Sequence, residues 1–145
     1  MTDLKMIQEI PEVLPKEAAE ILKTDSQSVL LDVRSRVEFD YVGHPPGAIN
    51  VPWQEPPSWE VVPDFYARVR QRFAELNADV PPESLTVLTL CRSGGRSRDA
   101  AMELARHGFS KAINIAEGFE GGLDENRQRG KLGGWRYHNL PWEQT

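Results

Sequence analysis

TVLTLCRSGGRS, Thr86–Ser97, is the stretch on which the reading of this chain turns. Its first five residues are apolar or β-branched, the composition of a short buried strand. Cys91, the only cysteine of the sequence, follows at once, and then come Arg92, Ser93, Gly94, Gly95, Arg96 and Ser97. DAAMELARHG, ending at Gly108, has the character of a helix, so the unit reads as strand, tight loop, helix. Two glycines let the loop backbone curl so that several N–H groups face inward as an anion nest. The helix aims the positive end of its dipole at the same spot. A thiol there is expected to ionise easily, because the thiolate gains those hydrogen bonds and the field of Arg92 and Arg96. The competing reading is an inert core cysteine before an ordinary turn. Two guanidinium groups so close to a core cysteine weigh against it, since each needs solvent or an anion. A solvated loop tip carrying a reactive thiol is the expectation.

Outward from this unit, strands and helices alternate. Lys5–Ile10 reads as a first short strand or an extended lead-in. Pro15 opens a helix with apolar Ala18, Ala19, Ile21 and Leu22. Ser28–Val33 is a buried strand, followed by a short helix over SRVEFDYVG that Gly43 ends. Ala48–Val51 is a further short strand bounded by prolines. Asp64 is the expected N-cap of a helix with an apolar stripe at Phe65, Val69, Phe73 and Leu76. The helix after the cysteine is expected from about Ser97 to His107, with Ala100, Ala101, Leu104 and Ala105 on its apolar side. Ala112–Ala116 is the last strand. Such alternation predicts a parallel sheet with helices on both faces. Sites in such sheets form at the carboxyl ends of strands, which groups Asp32, Arg34 and Cys91 on one edge.

Composition narrows the function classes. The 145 residues are read as one domain, 1–145. A formal net charge of −5 argues against nucleic acid as a general partner. No apolar run approaches the roughly 18 residues of a membrane span, so no membrane partner is expected. The N-terminal stretch has mixed charge and no apolar signal core, which makes the cytoplasm the expected location. One cysteine excludes an internal disulfide, and His44, His107 and His138 show no ligand spacing, so neither a metal nor another cofactor is expected.

CRSGGRS resembles the active-site loop of the rhodanese-type sulfurtransferases. The resemblance extends to LLDVRSRVEFDYVGHPPGAINVPW (Leu30–Trp53), NIAEGFEGG (Asn114–Gly122) and GWRYHNLPW (Gly134–Trp142), three matches in the family's order. The arrangement is similar to the single-domain bacterial rhodaneses. The fold it implies is a three-layer α/β/α sandwich around a five-stranded, mainly parallel sheet. One departure is the segment Gly118–Gly134, which holds six of the eleven glycines and sets Trp135 well after Gly122. It is expected either as a flexible surface loop or as one wall of the active-site mouth that selects the sulfur acceptor.

The activity implied is transfer of sulfane sulfur from a small anionic donor such as thiosulfate to cyanide, a thiol or a protein acceptor, through a Cys91 persulfide. Arg92 is expected to steer the donor and Arg96 to contact its oxyanion. Ser93 would offer its hydroxyl to the bound sulfur, Gly94 and Gly95 their amides, and Ser97 would cap the helix. Asp32 and Glu38 resemble acidic residues that brace the loop or its arginines, with Arg34 paired to one of them. His44 reads as a structural hydrogen-bonder, and Trp53, Trp59 and Trp135 as core or rim packing. Two rivals stand beside this. Cysteine phosphatases and arsenate reductases use a similar nest but read as Cys, five residues, Arg; here only Arg92–Gly95 separate Cys91 from Arg96. A sulfur-relay or interaction module would share the chemistry and differ in its partner.

Overall fold

Buried aliphatic residues place Ser28–Asp32 (β2) and Thr86–Leu90 (β4) side by side at the middle of a sheet, in register from Ser28 against Thr86 to Asp32 against Leu90. A computed structural model of the chain describes residues 10–145. Glu12–Val13 (β1), Ile49–Asn50 (β3) and Ala112–Ile115 (β5) complete the sheet, ordered β1-β5-β4-β2-β3 with every pair parallel. The strand expected over Lys5–Ile10 lies outside the described residues except for Ile10. The short β1, which was not expected, closes the β5 edge.

Strand alternation divides the apolar residues between two layers. Leu31, Val33, Val87 and Cys91 face two helices, Phe65–Leu76 (α2) and Gly95–Arg106 (α3), and pack with Val69, Phe73, Ala101 and Leu104. Leu30, Leu88, Leu90 and Ile115 face the other way, against Pro15–Thr24 (α1), Phe119 and Trp135. The sheet is therefore covered on both sides, which is why β4 is buried along its whole length. Among the described residues, no helix is long and apolar enough to cross a membrane.

Several local expectations need correction. Asp64 stands at the N-cap position of α2 but is left-handed (φ 64°) and makes no side-chain cap bond. The apolar stripe of α2 stops at Phe73, since Leu76 is 56% exposed. The short helix before Gly43 is a π-helical turn, Glu38–Val42. α3 begins at Gly95, two residues earlier than expected, because Gly94 (φ 115°) turns the chain and serves as its N-cap.

The Gly118–Gly134 segment is not a loose surface loop. The Phe119 and Glu120 amides donate to the Cys91 and Arg92 carbonyls at 2.8 and 3.0 Å. Gly121 donates to Glu117 O, Gly130 to Glu120 O and Trp135 to Gly118 O, all within 2.9 Å. Asp124 gathers the Asn126 and Gln128 amides on its carboxylate, and Glu117 holds the Gly134 amide at 2.9 Å. The approach is so close that a Cβ at Gly118 (φ 66°) would lie 2.5 Å from the Cys91 carbonyl oxygen. Gly47 has a similar φ of 82° but open space around it. Gly47→Ala is therefore expected to cost about 1 kcal/mol for backbone conformation alone. Gly118→Ala should cost at least about 2 kcal/mol, with the clash added. Urea denaturation of the two variants against the parent measures the difference.

Candidate active site

Strand alternation delivers Cys91 to the α3 side of the sheet, directly beneath the helix N-terminus. The Gly94 amide donates to Cys91 Sγ at 3.1 Å. Arg98 is the first α3 amide to bond within its own helix, to Gly94 O, so the Gly95, Arg96 and Ser97 amides are free of helical partners. The solvated loop tip expected for the thiol is not what the structure shows. Cys91 is 1% exposed, folded under the loop and against the α2/α3 core.

The hydroxyl at the sulfur is not the expected one. Ser97 Oγ lies 3.2 Å from Cys91 Sγ, 2.5 Å from Asn114 Oδ1 and 3.2 Å from Gly94 O. Ser97 is thus no helix cap; it bridges the thiol to β5. Its single proton has more than one acceptor, and a thiolate can only accept, so the hydroxyl can turn toward a charged sulfur. Asn114 is oriented by its Nδ2 group, which donates to Glu12 at 2.8 Å and to Gly94 O at 3.2 Å. Arg98 pairs with the same Glu12 carboxylate. Ser93 instead lines a separate recess of about 360 Å3 with Glu12, Gly94, Gly95 and Arg98. Glu12 and Asn114 were missed in the sequence. The available signal was a lone asparagine inside the apolar AINI strand, because a buried amide needs partners.

Two ion pairs frame the carboxyl edge of the sheet. Arg34 is fully buried and grips Asp32 in a bidentate pair, Nε to Oδ1 at 2.9 Å and Nη2 to Oδ2 at 2.6 Å. Its Nη2 also donates to Gly43 O, and its guanidinium lies 4.5 Å over the Phe119 ring. Nη1 is the one buried side-chain polar atom without a hydrogen bond among the described residues, and the ring face is what it has instead. Asp32 therefore holds Arg34 and not the loop. Glu38 holds the loop: its two oxygens take Arg96 Nη1 and Nη2, each at 2.9 Å. Arg96, expected to be open to an oxyanion, has that fork occupied.

Arg96 and Arg92 line a cavity of about 680 Å3 beside the loop. Trp59 and Gln54 form one wall, and Glu120 and Arg129 bring the Gly-rich segment in as another. Of the other tryptophans, Trp53 stacks edge-on with Phe65 and Trp135 is core, its indole N–H donating to Pro141 O. His44 is structural, bonded to Phe39 O at 2.8 Å and to Glu143 at 3.2 Å.

Burial pushes the Glu38 carboxyl up, but hydrogen bonds from Arg96 and Ser35 and the Arg96 charge outweigh it and hold the group down at about 2. The hydrogen-bonded Glu38 carboxylate in turn raises Arg96. The unfolded chain protonates Glu38 near 4.5 and the folded chain near 2. The stabilisation from this pair is therefore complete above about pH 4.5 and is lost as pH falls toward 2. Glu38→Gln should destabilise the protein at pH 7 by about 1–3 kcal/mol, allowing for partial solvent screening. Denaturant titrations of parent and variant at several pH values should show that gap shrinking toward pH 2.

Known proteins share this architecture. The crystal structure of Rv0390 from M. tuberculosis matches 93% of this chain and 98% of its own, at 34% identity and a TM-score of 0.76. Thiosulfate sulfurtransferase 16, a chloroplastic protein of Arabidopsis thaliana, is 35% identical over 91 residues, 61% of this chain and 68% of that protein. YrkF of Bacillus subtilis, a candidate sulfur carrier protein, is 30% identical over 109 residues, 75% of this chain and 49% of that protein. The sequence profile described as Rhodanese-like domain matches residues 14–125, spanning four of the five strands, the Cys91 loop and the turn that docks on it. By that match and by its fold, the chain belongs to the rhodanese-like domain family.

Proposed function

We propose that the protein is a thiosulfate sulfurtransferase-type enzyme with Cys91 as nucleophile. The observation that carries this reading is the pair of donors on one sulfur, the Gly94 amide at 3.1 Å and the Ser97 hydroxyl at 3.2 Å, at a helix N-terminus. The two donors can hold a sulfur anion in position for attack. The Cys91 thiolate attacks the outer sulfur of thiosulfate. A new S–S bond forms, the old one breaks, and its electron pair departs with sulfite. The persulfide anion that remains is received by the same donors, without a dedicated general acid. Cyanide or a thiolate then takes the terminal sulfur, and the S–S electron pair returns to Cys91. With no second cysteine in the chain, the sulfur must leave to another molecule.

The enclosure of Cys91 supports a sulfur substrate over a phosphate. A terminal sulfur can reach a covered thiol as a single protruding atom, whereas an in-line attack on phosphorus requires the whole tetrahedral group beside the nucleophile. The loop, with four residues between Cys91 and Arg96, is short for the second arrangement. A reducing compartment, the cytoplasm, suits a lone reactive thiol. Hand-off to a protein acceptor uses the same persulfide, and the similarity to YrkF favours it as the second reading.

Treatment with thiosulfate should add one sulfur atom to the intact mass, and cyanide should remove it as thiocyanate. Cys91→Ser should abolish both. Uptake of sulfur by the serine variant, or phosphate release from an aryl phosphate without thiocyanate formation, would overturn the assignment.

A further inference from the structure

The cavity beside the Cys91 loop is larger than an inorganic donor such as thiosulfate needs and carries unbalanced charge. At about 680 Å3 it falls in the range of pockets for organic ligands, roughly 300–1,000 Å3, far above the needs of a small oxyanion. Its charges sort by partner. Arg96 is neutralised by Glu38 through two hydrogen bonds. Glu120 faces Arg136 at 3.7 Å. Arg92 and Arg129 remain. Arg92 makes no ion pair among the described residues, and Arg129 spends only Nη1, on the Gly121 carbonyl at 2.7 Å. Trp59 and Val42 give the same cavity an apolar wall. Two uncompensated guanidinium groups with an aromatic wall fit an anionic organic molecule: carbon skeleton against the ring, carboxylates on the arginines.

We propose that this cavity selects the sulfur acceptor, that the acceptor is a low-molecular-weight thiol bearing carboxylates away from its sulfur, and that Arg129 is the residue that determines this specificity. The proposal rests on the persulfide reading of Cys91. Arg129 belongs to the Gly118–Gly134 segment, so the segment gives the domain its acceptor preference. The transfer step balances without a further reactant. The acceptor thiol attacks the terminal sulfur of the Cys91–S–S− persulfide, and its own proton passes to that sulfur, giving R–S–SH. The Cys91 S–S bond breaks and its electron pair returns to Cys91 as thiolate. Arg129 touches only the far end of the acceptor. It is expected to act on KM.

The test loads Cys91 with thiosulfate and follows persulfide transfer to N-acetylcysteine, its uncharged amide and mercaptosuccinate, compared at equal thiolate concentration. The parent protein should prefer each carboxylate over the amide by about tenfold in kcat/KM, the scale of one charge-assisted hydrogen bond. The preference should fall as salt is raised, because the guanidinium groups face a solvent-filled cavity. Arg129→Gln should bring the carboxylate-to-amide ratio close to one, through KM. Arg129→Lys should retain part of it, since the charge stays while the fork is lost. A parent ratio near one, or a ratio equal in parent and Arg129→Gln, overturns the proposal. If Arg129→Gln does not fold, the salt dependence of the parent ratio and the Arg129→Lys ratio decide it. Parent protein that gains no sulfur from thiosulfate sinks the persulfide reading itself. Normal thiocyanate production with no carboxylate preference sinks only the proposal about the acceptor.

Discussion

Two peptide hydrogen bonds hold the site in shape. The Cys91 and Arg92 carbonyls are taken by the Phe119 and Glu120 amides, at 2.8 and 3.0 Å. A trans peptide unit is planar, with its N–H pointing opposite to its C=O. Fixing those two carbonyls on the Gly118–Glu120 turn therefore turns the Arg92 and Ser93 amides away from it. The Gly94 carbonyl is held in its own right, by Arg98 N–H and Asn114 Nδ2, which fixes the direction of the Gly95 amide as well. The loop's amides are arranged by what is done to its carbonyls. Gly118 is the residue that makes this possible, because any Cβ there would meet the carbonyls it is meant to approach.

A second layer of the same logic uses charge. Buried ion pairs rarely repay their desolvation as net stability, but breaking one leaves an uncompensated charge and is strongly unfavourable. Asp32–Arg34 and Glu38–Arg96 thus fix geometry more than they add stability. Arg34 ties the end of β2 to Gly43 and to the Phe119 ring, whose own amide holds Cys91 O. Glu38 ties the π-helical turn to the first turn of α3. The two pairs join the elements around Cys91 by contacts that tolerate little displacement.

The fold was legible in the sequence where a single physical signal decided it. TVLTL and SVLLD could only be buried strands, and their alternation with helical stretches forced a parallel sheet covered on both faces. The placement of the lone cysteine, between a strand and a glycine-rich turn that opens a helix, was legible too. What escaped was set by tertiary pairing. The hydroxyl beside the sulfur belongs to Ser97 and not Ser93 because α3 starts at Gly95, and a shift of two residues rotates every side chain of a helix by more than half a turn. Glu12 and Asn114 are far apart in sequence and meet only because β1 pairs with β5, a two-residue strand that no periodicity can announce. That Glu38 braces the loop or its arginines was implied by the resemblance; that the arginine is Arg96, with its whole fork filled, follows only from the placement of the Glu38 turn opposite it.

The charges left unpaired in the cavity are opposite in sign to the net charge of the chain. The chain carries −5 overall, which taken alone predicts repulsion of anions. Solvent-exposed charges are screened beyond roughly 8 Å at physiological ionic strength. The acidic residues elsewhere on the surface are therefore weak competitors at the loop, and the carboxylates nearest to it are the ones that matter. Those lining the cavity are Glu38 and Glu120, and each already faces an arginine. The local field is set by the guanidinium groups left over, Arg92 on the loop and Arg129 on the segment that docks against it. An acidic protein can thus present a cationic mouth because its nearest carboxylates are already paired, and the Gly-rich segment that pins the loop carbonyls is the same segment that brings Arg129 to that mouth.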